Sequence, residues 1–253
     1  LGALALPAFA QSSAAADWPT QPVKLMVPFS PGGPTDIVAR LLAEKLQAMW
    51  KQPVVVEYKP GGGTIVGTQH IATAPPDGYT LGMAISAMMV NPSLQPSLPY
   101  DTKKDLTGVS QLALAHYGMF ANPSAPFDSV PELIAYAKKN PGKLSFATPG
   151  IGTGTHLAGE LLNHMAGIDM VHVPYKGSAP AQQDTIGGRV PVLFDVLFSS
   201  MPFVKDQRLK VLGLSSPKRP AGNPEIPLIA DTVPGFSAMG VIGLIAPARG
   251  AEA

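Results

Sequence analysis

The sequence contains no cysteine, so structural disulfides and metal sites built on thiolates are excluded. It also lacks an excess of either charge, since 18 basic residues balance 17 acidic ones, and this argues against a nucleic-acid surface or a polybasic membrane arm. No stretch reaches the roughly 18 uninterrupted apolar residues that a membrane span requires. What is present is a chain of 253 residues, 45% of them hydrophobic, enough for one large domain or two of ordinary size.

The first seventeen residues are predicted to precede the folded part of the chain. Residues 1–10 are apolar and uncharged, and they end in Ala8-Phe9-Ala10, a small-x-small pattern typical of a secretory cleavage site. We therefore expect residues 1–17 to comprise the end of a signal peptide and a polar, alanine-rich spacer. The fold is expected to begin near Trp18.

Residues 23–46 predict a strand, a glycine-rich loop and a helix. The apolar run 23–27 has the length of a buried strand, and the prolines and glycines of residues 28–34 end it. The periodicity that follows predicts an amphipathic helix. Its apolar face would carry Val38, Leu42, Leu46 and Met49. Its opposite face would carry Asp36, Arg40, Glu44, Gln47 and Lys51. Such a loop presents unpaired N–H groups to an anion, although a plain tight turn explains a single unit equally well.

The same strand-loop-helix arrangement recurs twice. Residues 54–57 lead into the glycine-rich loop 59–64, and residues 143–148 lead into the glycine-rich loop 149–155. Strands that alternate with helices predict mainly parallel α/β sheets, in which ligands bind beyond the carboxyl ends of the strands. Two loops lie in the first half of the chain and one in the second, so the sequence favours a cleft between two α/β lobes.

The remaining segments give coarser predictions. Residues 91–104 are expected to be irregular and residues 112–121 extended, and a short helix is expected around residues 202–205. Ser129 and Glu132 have the spacing of a capping box, and Ser178 is predicted to cap another helix. The helix after residue 155 is predicted to bury one side and to expose another. The buried side would carry Leu157, Leu161 and Met165, and the other side His156, Glu160 and His164.

Three sharper chemistries are disfavoured by the residues. Nucleotide binding is disfavoured, because the glycine-rich loops lack the Lys-Ser/Thr of a P-loop. The pattern Gly150-x-Gly152-x-Gly154 matches the dinucleotide-binding motif only weakly. His156, Glu160 and His164 lie on one face of a predicted helix, but they do not form the HExxH pattern of a zinc site. A hydrolase remains the alternative from another class, but the chain has no G-x-S-x-G nucleophile elbow. Met88, Met89 and Met201 fit core gaps better than a ligand pocket.

The chain resembles the tripartite tricarboxylate transporter substrate-binding proteins, also called Bug receptors. The resemblance runs in consistent order from about residue 18 to residue 248. It is carried by PFSPGGPTD (28–36), PVVVEYKPGGGTIVG (53–67), PPDGYTL (75–81), NPGKLSFAT (140–148), HLAGELL (156–162), DMVHVPYKGSAPA (169–181), GGRVPVLFD (187–195) and GLIAPA (243–248).

The resemblance implies a non-enzymatic periplasmic receptor with the α/β, type II periplasmic binding fold. Its two lobes would close on a small carboxylate: a dicarboxylate or tricarboxylate, an acidic amino acid or an aromatic acid. It would use no cofactor or metal. The implied partners are membrane subunits of a tripartite transporter, with no nucleic acid, and the protein is expected to be a monomer.

The resemblance also implies the binding residues. In that family the loop after the first strand holds the ligand carboxylate, and here that loop contributes Phe29, Ser30, Gly32, Gly33 and Asp36. The facing loop contributes Thr148, Gly150, Gly152, Thr153, Thr155 and His156. We add Thr64, Ser86, Tyr175 and Asp195 as weaker candidates. Asp195 would accept hydrogen bonds from a ligand amine or hydroxyl if it faced the cleft unpaired. A bulky residue in place of Gly32 or Gly33 is expected to weaken binding by blocking the approach to the backbone.

The implied domain organisation is one lobe formed by residues 18–120 and 230–253, and a second formed by residues 121–229. Relatives read APAGTP where this chain has Ala246-Pro247-Ala248-Arg249-Gly250, and they continue for several tens of residues. Those residues end in helices that complete the first lobe. The sequence therefore resembles a family member truncated at both ends.

Overall fold

The computed structural model describes residues 18–248, so the predicted signal-peptide remnant at 1–17 and the departure at Arg249-Gly250 lie outside the described residues. The strands are β1 (Val23–Val27), β2 (Val54–Tyr58), β3 (Thr80–Ala84), β4 (Leu106–Ala121), β5 (Leu144–Thr148), β6 (Met170–Pro174), β7 (Val192–Val196), β8 (Lys210–Leu214) and β9 (Met239–Pro247). The α-helices are α1 (Pro34–Trp50), α2 (Ile65–Ala72), α3 (Ser86–Leu94), α4 (Val130–Lys139), α5 (Gly154–Ala166), α6 (Ser178–Ile186) and α7 (Leu197–Lys205). Short 3-10 turns lie at Gly62–Thr64 and Ile229–Asp231.

The strands form two sheet regions that share one long strand. Their order is β2-β1-β3-β9-β4-β7-β5-β6, and β8 also pairs with β4. The first part of β4 pairs with β9, and its last residues pair with β7 and β8. We call the part built on β1, β2, β3 and β9 lobe 1, and the part built on β5 to β8 lobe 2. The two-lobed α/β fold predicted from the sequence is confirmed.

Each lobe has its own apolar core. In lobe 1, Val23, Leu25 and Val27 point from β1 towards α1, because alternate residues of a strand face the same side of the sheet. In lobe 2, Phe146 and Phe194 meet edge to face at 5.7 Å between ring centroids, under α4 and α5. Further apolar clusters cover the opposite faces, where Met26 packs with Ile71 in lobe 1 and Leu193 packs with Ala181 in lobe 2. Both sheets are therefore packed on both faces, and the carboxyl ends of their parallel strands line a cleft.

Three element predictions are wrong in extent. Residues 91–94 were expected to be irregular but belong to α3, which begins at Ser86 and contains Pro92. The extended segment expected at 112–121 begins earlier, since β4 starts at Leu106 and continues through irregular pairing with β9. The helix expected around residues 202–205 begins at Leu197.

The predicted apolar face is largely confirmed for α1 and wrong in part for α5. In α1, Val38, Leu42 and Leu46 pack against the lobe 1 core beside the buried Ala39 and Ala43, but Met49 is 73% exposed and Asp36, predicted on the opposite face, is buried. In α5, Leu161 packs against the lobe 2 core, whereas Leu157 and Met165 are exposed, and the buried side carries Thr155, Ala158, Gly159 and Leu162. Gly159 lies so close to the Phe146 ring that an added Cβ would overlap it. Small residues allow these helices to approach the sheet closely, and the longer apolar side chains then lie at the margins.

The predicted helix caps have mixed outcomes. The Ser129 cap is confirmed, since its hydroxyl accepts the Glu132 N–H, and the Glu132 carboxylate accepts the Asp128 N–H at 2.7 Å. Ser178 is not a cap, because Gly177 occupies that position and the Ser178 hydroxyl donates to Asp195 instead. Within residues 18–248, no helix has both the length and the apolar character to cross a membrane.

Candidate functional site

The N-termini of four helices converge on one cavity between the lobes. Each of these helices follows a strand: α1 follows β1, α3 follows β3, α5 follows β5 and α6 follows β6. The cavity, which we call the inner pocket, has a volume of about 40 Å³. Its polar wall consists of Ser30, Thr35, Ser86, Thr153, Thr155 and Ser178. Its apolar floor consists of Phe29, Ile85, Ala115, Tyr117, Val196, Val241 and Ile242.

The inner pocket has the electrostatics of an anion site without a basic side chain. Among the described residues that line it, none is lysine, arginine or histidine. Helix N-termini carry partial positive charge and unpaired N–H groups, so they stabilise a carboxylate with neutral donors. The hydroxyls of Ser30, Thr35 and Ser86 can add further donors, whereas those of Thr153 and Ser178 donate to the Gly150 carbonyl and to Asp195. The apolar floor fits the carbon skeleton of a small acid.

Asp36 lines the inner pocket, but its carboxylate is occupied by protein groups. It accepts hydrogen bonds from the Gly32 N–H at 2.7 Å, from Arg40 Nε at 2.8 Å and from the Tyr58 hydroxyl at 2.7 Å. Burial, followed by the hydrogen bond to Asp36, raises the pKa of Tyr58. Gly32 has φ +91°, a conformation that favours glycine, and the Asp36 carboxylate holds its amide in place. The geometry therefore gives Asp36 the role of shaping the first loop.

The first loop of lobe 1 lies directly on the start of α6 in lobe 2. The Ser30 N–H donates to the Lys176 carbonyl at 2.9 Å. A Cβ on Gly32 would lie 3.3 Å from the Ala179 Cβ, and a Cβ on Gly33 would lie 3.3 Å from the Ser178 Cβ. The absence of a side chain at these glycines thus permits the lobes to approach, in addition to exposing the backbone to a ligand.

Residues of the third loop hold one another in position. Thr153 caps α5 by accepting the His156 N–H at 3.2 Å, and its hydroxyl donates to the Gly150 carbonyl at 2.7 Å. The Gly152 N–H donates to His156 Nδ1 at 3.2 Å. The Thr148 hydroxyl accepts the Gly150 N–H at 3.2 Å. Thr153 and Thr155 therefore present their hydroxyls beside the inner pocket on a loop fixed by its own hydrogen bonds.

His156 turns away from the cavity and stacks on His172. The two rings are 4.0 Å apart between centroids, and His172 Nε2 lies 2.6 Å from the Thr148 hydroxyl. Burial lowers the pKa of His156, and burial together with the neighbouring His156 lowers the pKa of His172 to about 4. Both rings are therefore neutral at neutral pH and bring no positive charge to the site.

Tyr117, which was not among the predicted contacts, also lines the inner pocket. It is a buried residue of β4, and burial raises its pKa. Its hydroxyl reaches between Gly154 of α5 and Gly240 of β9, where an added Cβ on either glycine would overlap it. The sequence offered no local signal for this residue, because its importance comes from the position at which β4 crosses between the lobes.

Asp195 was expected to contact a ligand only if it faced the cleft unpaired, and it is instead fully buried and hydrogen-bonded to protein groups. Its carboxylate accepts hydrogen bonds from the side chains of Ser178, Gln182, Ser199 and Ser200 at 2.6 to 3.1 Å. Burial raises its pKa, and these hydrogen bonds oppose the rise. Asp195 thus joins the beginnings of α6 and α7, and it positions Ser178 at the inner pocket.

A second cavity, the outer compartment, adjoins the inner pocket through Phe29 and Pro149, which line both. Its volume is about 330 Å³. Thr64, Gly150 and Tyr175 contribute to its walls. The Tyr175 hydroxyl donates to Asp184 at 2.7 Å, and burial, together with that hydrogen bond, raises its pKa to about 12. Tyr175 therefore presents its ring to this compartment, while its hydroxyl is held by Asp184.

The fifteen residues predicted as ligand contacts thus fall into three groups. Those that line the inner pocket are Phe29, Ser30, Gly33, Asp36, Ser86, Thr153 and Thr155. Those that line the outer compartment are Phe29, Thr64, Gly150 and Tyr175. Those that line neither are Gly32, Thr148, Gly152, His156 and Asp195.

The structure also shows where the three methionines and the His156–Glu160 pair lie. Met88 is part of the lobe 1 core, Met201 packs against the lobe 2 core and Met89 is exposed. His156 Nε2 lies 3.7 Å from Glu160 Oε1. Among residues 18–248, no group of three or more histidine, aspartate or glutamate side chains is arranged to hold a metal ion.

Comparisons with known proteins agree on one family. Residues 38–253 match the model of the tripartite tricarboxylate transporter family receptor. The chain is 36% identical over 233 residues to BugT of Bordetella pertussis, covering 91% of this chain and 72% of BugT.

Solved structures share the same fold. The structure of the periplasmic binding protein BugD superposes with a TM-score of 0.88 at 33% identity, covering 93% of this chain and 79% of that one. The structure of R. palustris Rpa4515 with adipate gives a TM-score of 0.89 at 32% identity, with the same coverage of 93% and 79%.

Proposed function

Since this chain belongs to the tripartite tricarboxylate transporter receptor family, we propose that it captures a small carboxylate in the periplasm for uptake or sensing. One carboxylate group of the ligand docks in the inner pocket. There it receives hydrogen bonds from N–H groups at the start of α1 and α5 and from the hydroxyls of Ser30 and Thr35. The apolar floor, which includes Tyr117, receives the carbon skeleton.

The convergence of helix N-termini on the inner pocket carries this proposal. Each terminus contributes a partial positive charge that falls off within its first turn, so several are needed around one anion. Preorganised N–H groups need little reorganisation when the ligand arrives. A receptor that uses neutral donors also avoids the cost of burying a lysine or arginine before the ligand binds.

The protein acts as a binding protein without catalysis, and membrane subunits of a transporter recognise its liganded form. We propose that one lobe comprises residues 18–120 together with the C-terminal segment that begins at β9, and that the other lobe lies between them, since Val233 and Phe236 pack in the lobe 2 core. Pairing of β9 with β3 supports the assignment of the C-terminal segment to lobe 1. Similarity to BugD, a periplasmic binding protein, supports the periplasmic location.

A thermal-shift screen tests the function directly. The purified protein is heated with dicarboxylates, citrate, acidic amino acids and aromatic acids, with nucleotides and divalent metals as controls. A ligand at one hundred times its Kd stabilises the folded state by about 2.7 kcal/mol, which is a clear rise in melting temperature. Selective stabilisation by a carboxylate is expected, and stabilisation by a nucleotide or a metal alone would contradict the proposal.

A further inference from the structure

Asp195 is a buried carboxylate without a positively charged partner. It is 0% exposed, and the ion pairs formed among residues 18–248 do not include it. Its hydrogen bonds come from neutral side chains of α6 and α7, namely Ser178, Gln182, Ser199 and Ser200. Buried charges in proteins are normally paired with an opposite charge, because neutral donors replace only part of the lost hydration. The negative charge of Asp195 is therefore sensitive to any further charge placed nearby.

A single hydroxyl links Asp195 to the inner pocket. The Ser178 side chain lines that pocket, and its hydroxyl donates to Asp195 Oδ1 at 2.6 Å. The same hydroxyl faces Gly33, where an added Cβ would lie 3.5 Å from Ser178 Oγ. Gly33 directly precedes α1, and the N-terminus of α1 receives the ligand carboxylate in the proposed function. The Ser178 hydroxyl is therefore adjacent both to Asp195 and to the docking position of the ligand.

A ligand carboxylate in the inner pocket acts on Asp195 as a like charge. Among the described residues that line the pocket, none is lysine, arginine or histidine, so no lining side chain supplies a cation to screen the two carboxylates. A second negative charge a few ångströms away raises the pKa of a carboxyl group, and the effect is strongest in a buried site. Burial already raises the pKa of Asp195, against the hydrogen bonds that oppose the rise. Burial and ligand binding therefore act in the same direction and favour the neutral carboxylic acid.

The elements packed against Asp195 present no competing titratable group to it. The residues of α6 and α7 that contact it are the four neutral donors, strand β4 pairs it with Gly118, and β5, the other neighbour of β7, has no charged residue. Tyr117, beside Gly118, lines the inner pocket, and because burial raises its pKa its phenol stays protonated at neutral pH. Asp36 of lobe 1 lines the same pocket as an ion pair with Arg40.

The stacked histidines are the alternative proton acceptors near the site. Burial lowers the pKa of both rings, to about 4 for His172, but a nearby anion favours the charged form of a histidine as well. The ring nitrogens of His156 and His172 contact the Gly152 N–H and the Thr148 hydroxyl, which belong to residues that do not line the inner pocket. Asp195 is favoured over them because Ser178 links it directly to the pocket.

We propose that capture of a carboxylate is coupled to the uptake of one proton, which Asp195 binds. This inference rests on the proposed function, because the ligand carboxylate in the inner pocket supplies the second negative charge. In the ligand-free protein the Ser178 O–H donates to Asp195. On binding, a proton from solvent bonds to a carboxylate oxygen of Asp195, the new O–H donates to Ser178 Oγ, and the Ser178 O–H turns to the ligand carboxylate. Proton uptake thus removes one of two neighbouring negative charges and adds a hydrogen-bond donor to the pocket.

Calorimetry in buffers with different ionisation enthalpies counts the protons taken up on binding. The purified protein is titrated between about pH 6 and pH 8 with succinate, glutamate and benzoate as probes, and the protons that each free probe carries are subtracted. Proton uptake by the wild type is expected to grow as the pH falls, and its affinity to rise by up to about tenfold per pH unit. Binding without proton uptake over this range would overturn the proposal and leave the carboxylate receptor intact. No binding of any carboxylate would contradict the proposed function, and this inference with it.

Two variants assign the proton to a residue. Asp195→Asn keeps the shape of the protonated acid without a titratable group, so it is expected to bind the probe with no proton uptake and with an affinity independent of pH. His172→Gln is the matched control and should take up as many protons as the wild type. Uptake that persists in Asp195→Asn, or that is lost in His172→Gln, would overturn the assignment.

Infrared spectroscopy of the wild type tests the same step without a variant, and it decides the question if Asp195→Asn does not fold. The protein is labelled with carbon-13 at its aspartate carboxyl groups, and spectra with and without the tightest-binding of the three probes are compared near pH 6. The expected result is a carbonyl band of a protonated aspartic acid that appears on binding and is shifted by the label. Absence of that band in the liganded protein would overturn the proposal.

Discussion

Tyr117 occupies space that two glycines leave open, and its hydroxyl is the point at which β4, α5 and β9 meet. We predict that Gly240→Ala destabilises the protein by about 1–3 kcal/mol, as overpacking of a filled core does. The reason is the overlap between the added methyl group and the Tyr117 hydroxyl. Chemical denaturation measures the change, and Gly108→Ala is the matched control, because nothing lies within 4 Å of a Cβ at that strand position.

A second substitution tests whether overlap with the Tyr117 hydroxyl, and not a general loss of backbone freedom at residue 240, destabilises Gly240→Ala. Tyr117→Phe removes the atom that the new methyl group meets, so the double variant should lose less stability than the sum of the two single variants. Relief would be partial, since a Cβ on Gly240 still lies 2.9 Å from Tyr117 Cζ. Strict additivity of the two losses would show that Tyr117 is not what requires glycine at residue 240.

The stacked histidines predict a pH dependence of stability. The pKa of His172 falls from 6.5 to about 4 on folding, so the unfolded chain binds a proton at a higher pH than the folded one. Stability is therefore fully present above pH 6.5 and declines as the pH falls towards 4. His156 stacks on one side of His172, and Phe146 lies 5.1 Å away between ring centroids. The nearest carboxylate in this cluster, Glu160, lies beside His156.

We expect His172 to contribute a loss of about 2 kcal/mol between pH 6.5 and 4, after allowance for its partial exposure to solvent. Urea denaturation of the wild type and of His172→Gln at several pH values measures this contribution. The variant should show a shallower decline over that interval. Parallel curves for the two proteins would mean that other groups cause the acid sensitivity.

At the level of elements, the loops were more predictable than the helix faces. Glycine and proline act locally, so the three glycine-rich loops and the strands before them could be found from the sequence. The face that a helix buries depends on how closely it approaches its sheet. Gly159 lies against the Phe146 ring because it is small, and a periodicity that counts only large apolar side chains does not find it.

The site was predictable only where it depends on local sequence. Of the predicted contacts, Ser30, Gly33, Ser86 and Thr153 line the inner pocket, and each lies in or next to the loop or helix start that follows a strand. Tyr117 was not predicted, because it lies inside a long strand. Asp195 was predicted as a contact only if it faced the cleft unpaired, and nothing local reveals that Ser178 and Gln182, earlier in the chain, donate to its carboxylate.

The first turn of α1 depends on the Asp36 carboxylate, and this gives a prediction for the element. Asp36→Asn is expected to destabilise the protein by about 2 kcal/mol, because a buried acceptor of three hydrogen bonds is replaced by a group that is partly a donor. Carboxylate affinity should fall as well, since the Gly32 amide loses its acceptor and the first loop loosens. Denaturation and calorimetry on the same variant measure the two effects.

The control is Arg40→Gln, which removes the exposed partner of Asp36. Exposed ion pairs contribute about 0–1 kcal/mol, and the Gly32 and Tyr58 hydrogen bonds to Asp36 remain. This variant should therefore keep most of the stability and most of the affinity. Equal losses in both variants would indicate that the ion pair, and not the shaping of the loop, is the important role of Asp36.

Across the whole molecule, β4 connects the two lobes, and a small number of polar contacts join them at the inner pocket. The Gly154 N–H of lobe 2 donates to the Ser86 hydroxyl of lobe 1 at 3.0 Å. We expect the lobes to close over the ligand, as two-lobed receptors do, so this bond belongs to the closed arrangement. A hydrogen bond between the lobes raises ligand affinity by increasing the fraction of molecules in the closed arrangement. This effect is the same for every ligand.

Ser86→Ala is therefore predicted to weaken the binding of every carboxylate by the same factor, about fivefold, which corresponds to a net hydrogen bond of about 1 kcal/mol. The melting temperature of the ligand-free protein should change little, because the core of each lobe is untouched. Calorimetry with chemically different acids measures the factor, and small-angle scattering with and without ligand measures closure. A loss confined to one ligand would show instead that the Ser86 hydroxyl contacts that ligand directly.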